Sequence, residues 1–204
     1  MRILGIDTSL TCTGVAVITD QFDPTQGGLA TVRATTHTVQ TAPPKRAKGD
    51  KTPATLDERW ERLETIRMLG GVPVLRSLHI DLAVVEAPSY GSVGGSTWDR
   101  AGAWWLVIDR IRRAGVPVVI VAPKTRALWA TGSGASSKAP VAVHMSRMWP
   151  AIDPGITDDE WDALALATMG AQHLGLVPVE LTRHRDQLAK ITWPDFPGAD
   201  EVAS

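Results

Sequence analysis

Cysteine is almost missing from this chain. Cys12 is the only one in 204 residues, which excludes an intrachain disulfide or a zinc site built on several thiolates and leads us to expect a reducing, cytoplasmic setting. Long apolar runs are missing as well; none approaches the roughly 18 residues that a membrane-spanning helix needs. The N-terminal stretch Met1-Arg2-Ile3-Leu4-Gly5-Ile6-Asp7 carries a carboxylate inside its apolar segment, unlike a signal peptide. The five histidines are scattered without HExxH-type spacing, which disfavours zinc hydrolysis. An excess of positive charge is lacking too: 21 Lys and Arg against 22 Asp and Glu leave a formal charge of −1, little for a protein that grips phosphate backbones. The basic residues present are clustered, at Lys45, Arg46, Lys48 and Lys51, at Arg110, Arg112 and Arg113, and at Lys124 and Arg126. The first of these runs reads equally well as a solvated loop. No internal repeat is present.

The length suits one domain with a full hydrophobic core. Arg2 to Asp7 and Thr13 to Thr19 are rich in Ile, Val and Leu and read as two strands joined by a Ser/Thr turn, with a third possible over Leu29 to Gln40. Residues 41–53, with three prolines, Gly49 and several lysines, read as a mobile loop. Leu56, Trp60, Leu63, Ile66 and Leu69 recur at helical spacing. Asp81 to Glu86 reads as a buried strand ending in an acid. Trp98 to Ala114 reads as a helix with Trp105, Ile108 and Ile111 near one face, and Val116 to Val121 as another strand. Helices are expected over 137–148 and 158–174. A meander followed by alternating strands and helices makes an α/β fold: a mixed sheet, antiparallel first and parallel later, flanked by helices. We place one domain over 1–175, with a polar insertion at about 41–53, and a tail without clear period over 176–204.

The acids carry the chemistry. Asp7 ends a strand that should be buried, where a lone carboxylate costs several kcal/mol unless it is paired or holds a metal; capping the Thr8–Thr13 turn is the bland alternative. Glu86 repeats the situation at the end of Leu82-Ala83-Val84-Val85. Asp159 and Asp162 open an apolar helix at i, i+3 spacing and so share one of its faces, with Asp158 close by and Glu160 pointing elsewhere. Helix capping and dipole stabilisation account well for Asp158 and Asp159, but less well for Asp162, which lies a turn further in. Hard cations such as Mg²⁺ take oxygen ligands, and two such ions can hydrolyse a phosphodiester. Acids gathered around metal would not count as free negative charge.

Four motifs, in order along residues 1–170, resemble those of the RuvC Holliday-junction resolvases, a group with the RNase H-like fold. They are Met1 to Asp7 with Thr13-Gly14-Val15-Ala16-Val17, then Val84-Val85-Glu86-Ala87-Pro88, then the glycine loop Thr131 to Lys138, then the Asp159 to Ala167 helix. The resemblance implies a homodimeric endonuclease cutting branched DNA with two Mg²⁺ ions (Mn²⁺ substituting), held by Asp7, Glu86, Asp159 and Asp162 as catalytic and metal ligands. Departures lie in Asp7-Thr8-Ser9, where family members commonly have Asp-Pro-Gly, and in a long 20–53 stretch; they suggest a divergent branch, conceivably phage-borne. Tyr90, in a glycine-rich loop just past Glu86, is the nearest aromatic to the family's base-stacking position. Lys124 and Arg126 are both slightly out of register with the family's lysine. With Tyr90, Gly132, Gly134 and Lys138 they complete the expected DNA contacts. Trp104 and Trp105 cannot both face inward on one helix, so one is expected to face a partner subunit. Two alternatives share some of these features: an actin-like ATPase or tRNA-modification accessory protein with the same N-terminal strand motif, and a DNA-binding module without chemistry. The first would need phosphate loops that we do not find, and the second leaves four metal-suited acids unexplained.

Overall fold

The computed structural model describes residues 1–22, 30–68, 79–88, 96–135 and 138–195, with backbone alone at 21, 22, 30 and 138. Strand β1 (Arg2–Asp7) pairs antiparallel with β2 (Cys12–Phe22), and β2 pairs antiparallel with β3 (Ala30–Gln40). On its other side β1 pairs parallel with β4 (Leu82–Glu86), which pairs parallel with β5 (Val118–Val121). The sheet order is β3-β2-β1-β4-β5, the mixed arrangement expected from a meander followed by crossovers. Helices are α1 (Leu56–Arg67), α2 (Thr97–Arg113), α3 (Pro123–Thr131), α4 (Lys138–Met148), α5 (Asp158–His173) and α6 (Thr182–Leu188). None of them is long and apolar enough to cross a membrane.

Strand residues alternate between faces, and the two faces have separate cores. Ile3, Leu82 and Val84 pack under α5 with Leu164, Ala167, Trp129 and Met145. Leu4, Ile6, Ala83 and Val85 pack on the opposite face against Ile66 of α1 and Ala103, Val107, Ile108 and Ile111 of α2. By the same period of two, Asp7 follows Ile3 and Gly5, and Glu86 follows Leu82 and Val84, onto the α5 face. The register sets Ile6 opposite Val85, so the two acids come next, side by side, at the strand ends.

Helix α5 lies on the sheet backbone to backbone. A Cβ at Gly5 would stand 2.1 Å from the Ala163 carbonyl oxygen and 2.6 Å from the Ala167 nitrogen; at Gly14 it would stand 1.9 Å from the Asp159 carbonyl oxygen. Only glycine admits the helix here. A capping box starts α5: the Thr157 hydroxyl accepts from the Glu160 N–H, and the Glu160 carboxylate accepts from the Thr157 N–H. Glu160 is thereby used at the cap, pointing away from the face of its two neighbouring aspartates, as expected.

Several elements differ from expectation. Helix α3 was not anticipated, although its punctuation is regular: Pro123 in its first turn and Gly132, at φ +79°, as its stop. The expected stripe on α1 is half exposed, with Leu56 at 76% and Trp60 at 54%, because only its Leu63–Ile66 end reaches the sheet. On α2, Trp105 does not join Ile108 and Ile111; it is 63% exposed, and the inner face runs through Ala103 and Val107 instead. Residues 41–53 are irregular, as read, but Arg46 binds both carboxylate oxygens of Glu58 (2.8 and 2.6 Å), tying the segment to α1. Part of the stretch after 175 folds into α6, which is too short for a hydrophobic period. It is fastened by polar bonds: Arg183 donates to the Trp129 and Ala130 carbonyls, and His184 stacks on Trp129.

The seating of α5 makes a testable contrast. Gly5→Ala should destabilise the protein by about 3 kcal/mol through overpacking. Gly102→Ala, inside α2 with only Leu63 Cδ1 at 3.7 Å, should stabilise it by about 0.5–1 kcal/mol. Urea denaturation of both variants measures this; equal effects would contradict the backbone contact.

Candidate active site

A cleft of about 530 Å³ opens at the ends of β1 and β4, and its lining includes Asp7, Thr8, Ser9, Glu86, Thr97, Arg100, Trp104, Arg126, Asp159 and Asp162. All four acids singled out from the sequence therefore border one cavity. Each is brought there by a different cause. Asp7 is carried by the central strand. Its turn is closed without it: the Thr13 hydroxyl donates to the Ser9 carbonyl oxygen and accepts from the Ser9 N–H. Glu86 is steadied by α2, whose Trp104 indole N–H donates to the Glu86 carbonyl oxygen at 2.8 Å. Asp159 is set by the contact of its backbone with Gly14, and the Cys12 thiol lies against its carboxylate. Asp162, one turn on, is 1% exposed. Asp158 is exposed and outside the cleft lining.

A buried cation is built into this acidic site. Arg126, the fourth residue of α3, is 8% exposed. Its Nε–H donates to Glu86 Oε1 at 2.6 Å, and its Nη1–H donates to Asp162 Oδ1. Arg126, expected among the DNA contacts, lies inside the site. Burial works against its charge, but Glu86, Asp162 and Asp7 outweigh burial and hold its pKa above the ordinary value. Asp7 shows the opposite balance. Burial, then the charges of Glu86 and Asp162, push its carboxyl well above the usual carboxylate range, against a smaller pull from Arg126. Cys12 is likewise pushed up to about 11, by burial first and then by Asp159, so its thiol keeps its proton at neutral pH.

The remaining expected residues are dispersed. Lys124 is exposed on the first turn of α3, and its side chain covers Gly134, where a Cβ would stand 2.7 Å from Lys124 Cγ. Gly132 ends α3. Lys138 is the first residue of α4, and Tyr90 lies outside the described residues. Sequence reasoning missed the contribution of α2, whose Thr97, Arg100, Ala101 and Trp104 line the cleft. Their i, i+3, i+4, i+7 spacing was the available signal.

The cleft lining provides carboxylate, hydroxyl and backbone oxygen but no thiolate or imidazole. Burial first, then the charges of Glu86 and Asp162, disfavours the ionised form of Asp7. Both features fit a hard divalent cation. Among the described residues no three acids stand together as a formed ligand cluster, and Arg126 holds oxygens of two of them.

Comparison with known proteins bears on the fold. No protein-family model and no curated protein matches the chain in sequence. Among solved structures, it is similar to Thermus thermophilus RuvC, with 23% identity, a TM-score of 0.60, and coverage of 86% of this chain and 98% of that one. It is also similar to T. thermophilus RuvC in complex with Holliday junction substrate, with 21% identity, a TM-score of 0.61 and the same coverage. The chain thus has the RNase H-like fold expected from its motifs.

The raised Asp7 pKa has a pH signature in metal-free buffer. The folded state holds a proton on Asp7 where the unfolded chain, near 3.8, has lost it. The contribution of Asp7 to stability is therefore greatest below that value and falls as pH rises through the higher folded pKa. Asp7→Asn should flatten this fall, as read by melting temperature against pH in EDTA. An unchanged slope would contradict the electrostatics described.

Proposed function

We propose that this chain is a divalent-metal-dependent endonuclease that cuts branched DNA, with the four-way junction as its substrate. The observation that carries this reading is that four carboxylates, from β1, β4 and two positions of α5, border one cleft. The supporting context is a fold shared with a RuvC that has been seen with a Holliday junction substrate. Asp7, Glu86, Asp159 and Asp162 would hold two Mg²⁺ ions, with Mn²⁺ as a substitute. Such ions, when bound, activate water and stabilise the leaving oxygen of a phosphodiester.

The protein's own groups do the positioning. The Asp7 and Asp162 carboxylates are almost wholly withdrawn from water, so charges gathered between them interact more strongly than at the surface. Trp104 fixes the backbone of Glu86. The Thr157–Glu160 capping box supplies the cap that Asp159 would otherwise provide and leaves its carboxylate to the cleft. Arg100 lines the cleft from α2, where a phosphate chain would pass. Lys124, Gly132, Gly134 and Lys138 at the α3–α4 corner, together with Tyr90, are assigned to the DNA further from the reacting bond.

A junction presents paired strands, and a two-fold dimer would place one site on each. The apolar groove between α2 and β5, about 590 Å³ and lined by Trp105, Ile108, Val118 and Ile120, is the face we assign to the second copy. Light scattering of the free protein and of its junction complex should give a dimer in at least one state; monomer in both would remove this assembly.

Cleavage of a labelled four-way junction should require Mg²⁺ or Mn²⁺, stop with EDTA and not return with Zn²⁺ alone. Asp7→Asn, Glu86→Gln and Asp162→Asn should each slow it by roughly a hundredfold or more, about 3 kcal/mol of lost transition-state stabilisation. Asp159→Asn should follow them, whereas Asp158→Asn should cut normally. Wild-type rates in Asp7→Asn, or full activity in EDTA, would sink the assignment.

A further inference from the structure

The cleft contains a positive charge that metal-ligand chemistry does not call for. Arg126 lies 8% exposed at the point where acids from β4 and α5 converge, and it takes one oxygen of Glu86 and one of Asp162 with separate N–H groups. Its ion pairs are buried: side-chain exposure is 9% for Arg126, 13% for Glu86 and 2% for Asp162. A guanidinium presents its donors in a rigid fork, so it can bridge two carboxylates as a divalent ion would. The two cations would compete for the charge of the same carboxylates. A metal ion seated on them would also face the guanidinium at contact distance, with like charges in a site shielded from water.

We propose that Arg126 is the resident counter-cation of the metal-free site, and that metal binding is an exchange in which the guanidinium leaves Glu86 and Asp162. This rests on the nuclease reading above. The geometry permits it: Arg126 itself borders the roughly 530 Å³ cleft, and its side chain can turn about its own bonds into that space while α3 stays in place. The arrangement has two effects. Without metal, Arg126 keeps the clustered carboxylates from repelling one another and so preserves the strand ends and α5 in register. With metal, the affinity measured is the difference between two cations competing for one set of carboxylates. Arg126 is thus a positioning residue that raises the metal concentration at which the site fills.

Titration calorimetry with MnCl₂ and melting curves in EDTA test this on the full chain. Arg126→Gln should bind Mn²⁺ at least about tenfold more tightly than wild type and melt lower in EDTA, and the melting gap should close at saturating Mn²⁺. Arg126→Lys keeps the charge without the fork; it should fall between the two and serves if the glutamine variant does not fold. Arg185→Gln, exposed on α6, is the control and should match wild type. Lower melting with Mn²⁺ affinity unchanged would show an ordinary structural ion pair, and weaker Mn²⁺ binding would show that Arg126 supports the ligands; either overturns the exchange. If wild type binds Mn²⁺ and cuts junctions while both variants bind it equally, the exchange fails and the nuclease reading stands. If no protein in the set binds Mn²⁺ and wild type leaves the junction whole, both fail together.

Discussion

Helix α5 rests on β1 and β2 with no side chain between the backbones at two points, Gly5 beneath Ala163 and Gly14 beneath Asp159. Most of what is distinctive in the molecule depends on that contact. It sets the depth at which Asp162 enters the sheet edge beside Asp7, and it places Asp159 one turn earlier at the mouth of the cleft. The helix is built for close approach, with Ala163, Ala165, Ala167 and Ala171 fully buried. Gly170 completes the fit further along, where a Cβ would stand 2.8 Å from Ile3 and 2.9 Å from Val84. Larger residues would lift α5 away and separate the acids, so packing and chemistry are specified by the same small side chains.

Bringing those acids together has an electrostatic consequence that packing must withstand. Buried like charges destabilise a fold unless they are neutralised or compensated. Two compensations are present, a raised pKa at Asp7 and the double ion pair of Arg126 with Glu86 and Asp162. Each is reversible: a proton can leave and an arginine can turn. Carboxylates compensated in this way remain able to take another cation, unlike Glu160, whose Oε2 accepts from both the N–H and the hydroxyl of Thr157 at the helix cap.

Much of this was legible in residue order. Strand β1 matched its expected bounds because an apolar run ended in a single acid, and the mixed sheet followed from a meander succeeded by alternating strands and helices. Asp7, Glu86 and Asp162 could be singled out because each sits where a carboxylate is out of place beside an apolar run, and Asp159 because of its i, i+3 spacing to Asp162 and the motif resemblance. What could not be read were relations between distant segments. Nothing local in Arg126 distinguishes it from Lys124, two residues away, yet one is buried among acids and the other is exposed; the difference is set by how α3 leaves β5. Trp60 and Leu56 follow the helical period but stay exposed, so among the described residues their stripe joins neither core. Helix α6 carries no period because polar bonds from Arg183 and His184 hold it.

The contact of α5 with β1 also orders events in time. Asp7 and Asp162 are separated by more than 150 residues, and no local interaction can bring them together. The β1–β2–β3 meander is assembled from short-range pairings, which form with little loop closure, whereas α5 must close nearly the whole chain before its packing is rewarded. A ribosome releases the meander long before α5 is synthesised. A chain caught halfway through synthesis or folding therefore has Asp7 but no partner for it from α5. The complete set of acids is among the last things the molecule acquires, which keeps a half-made chain free of whatever chemistry the finished cleft performs.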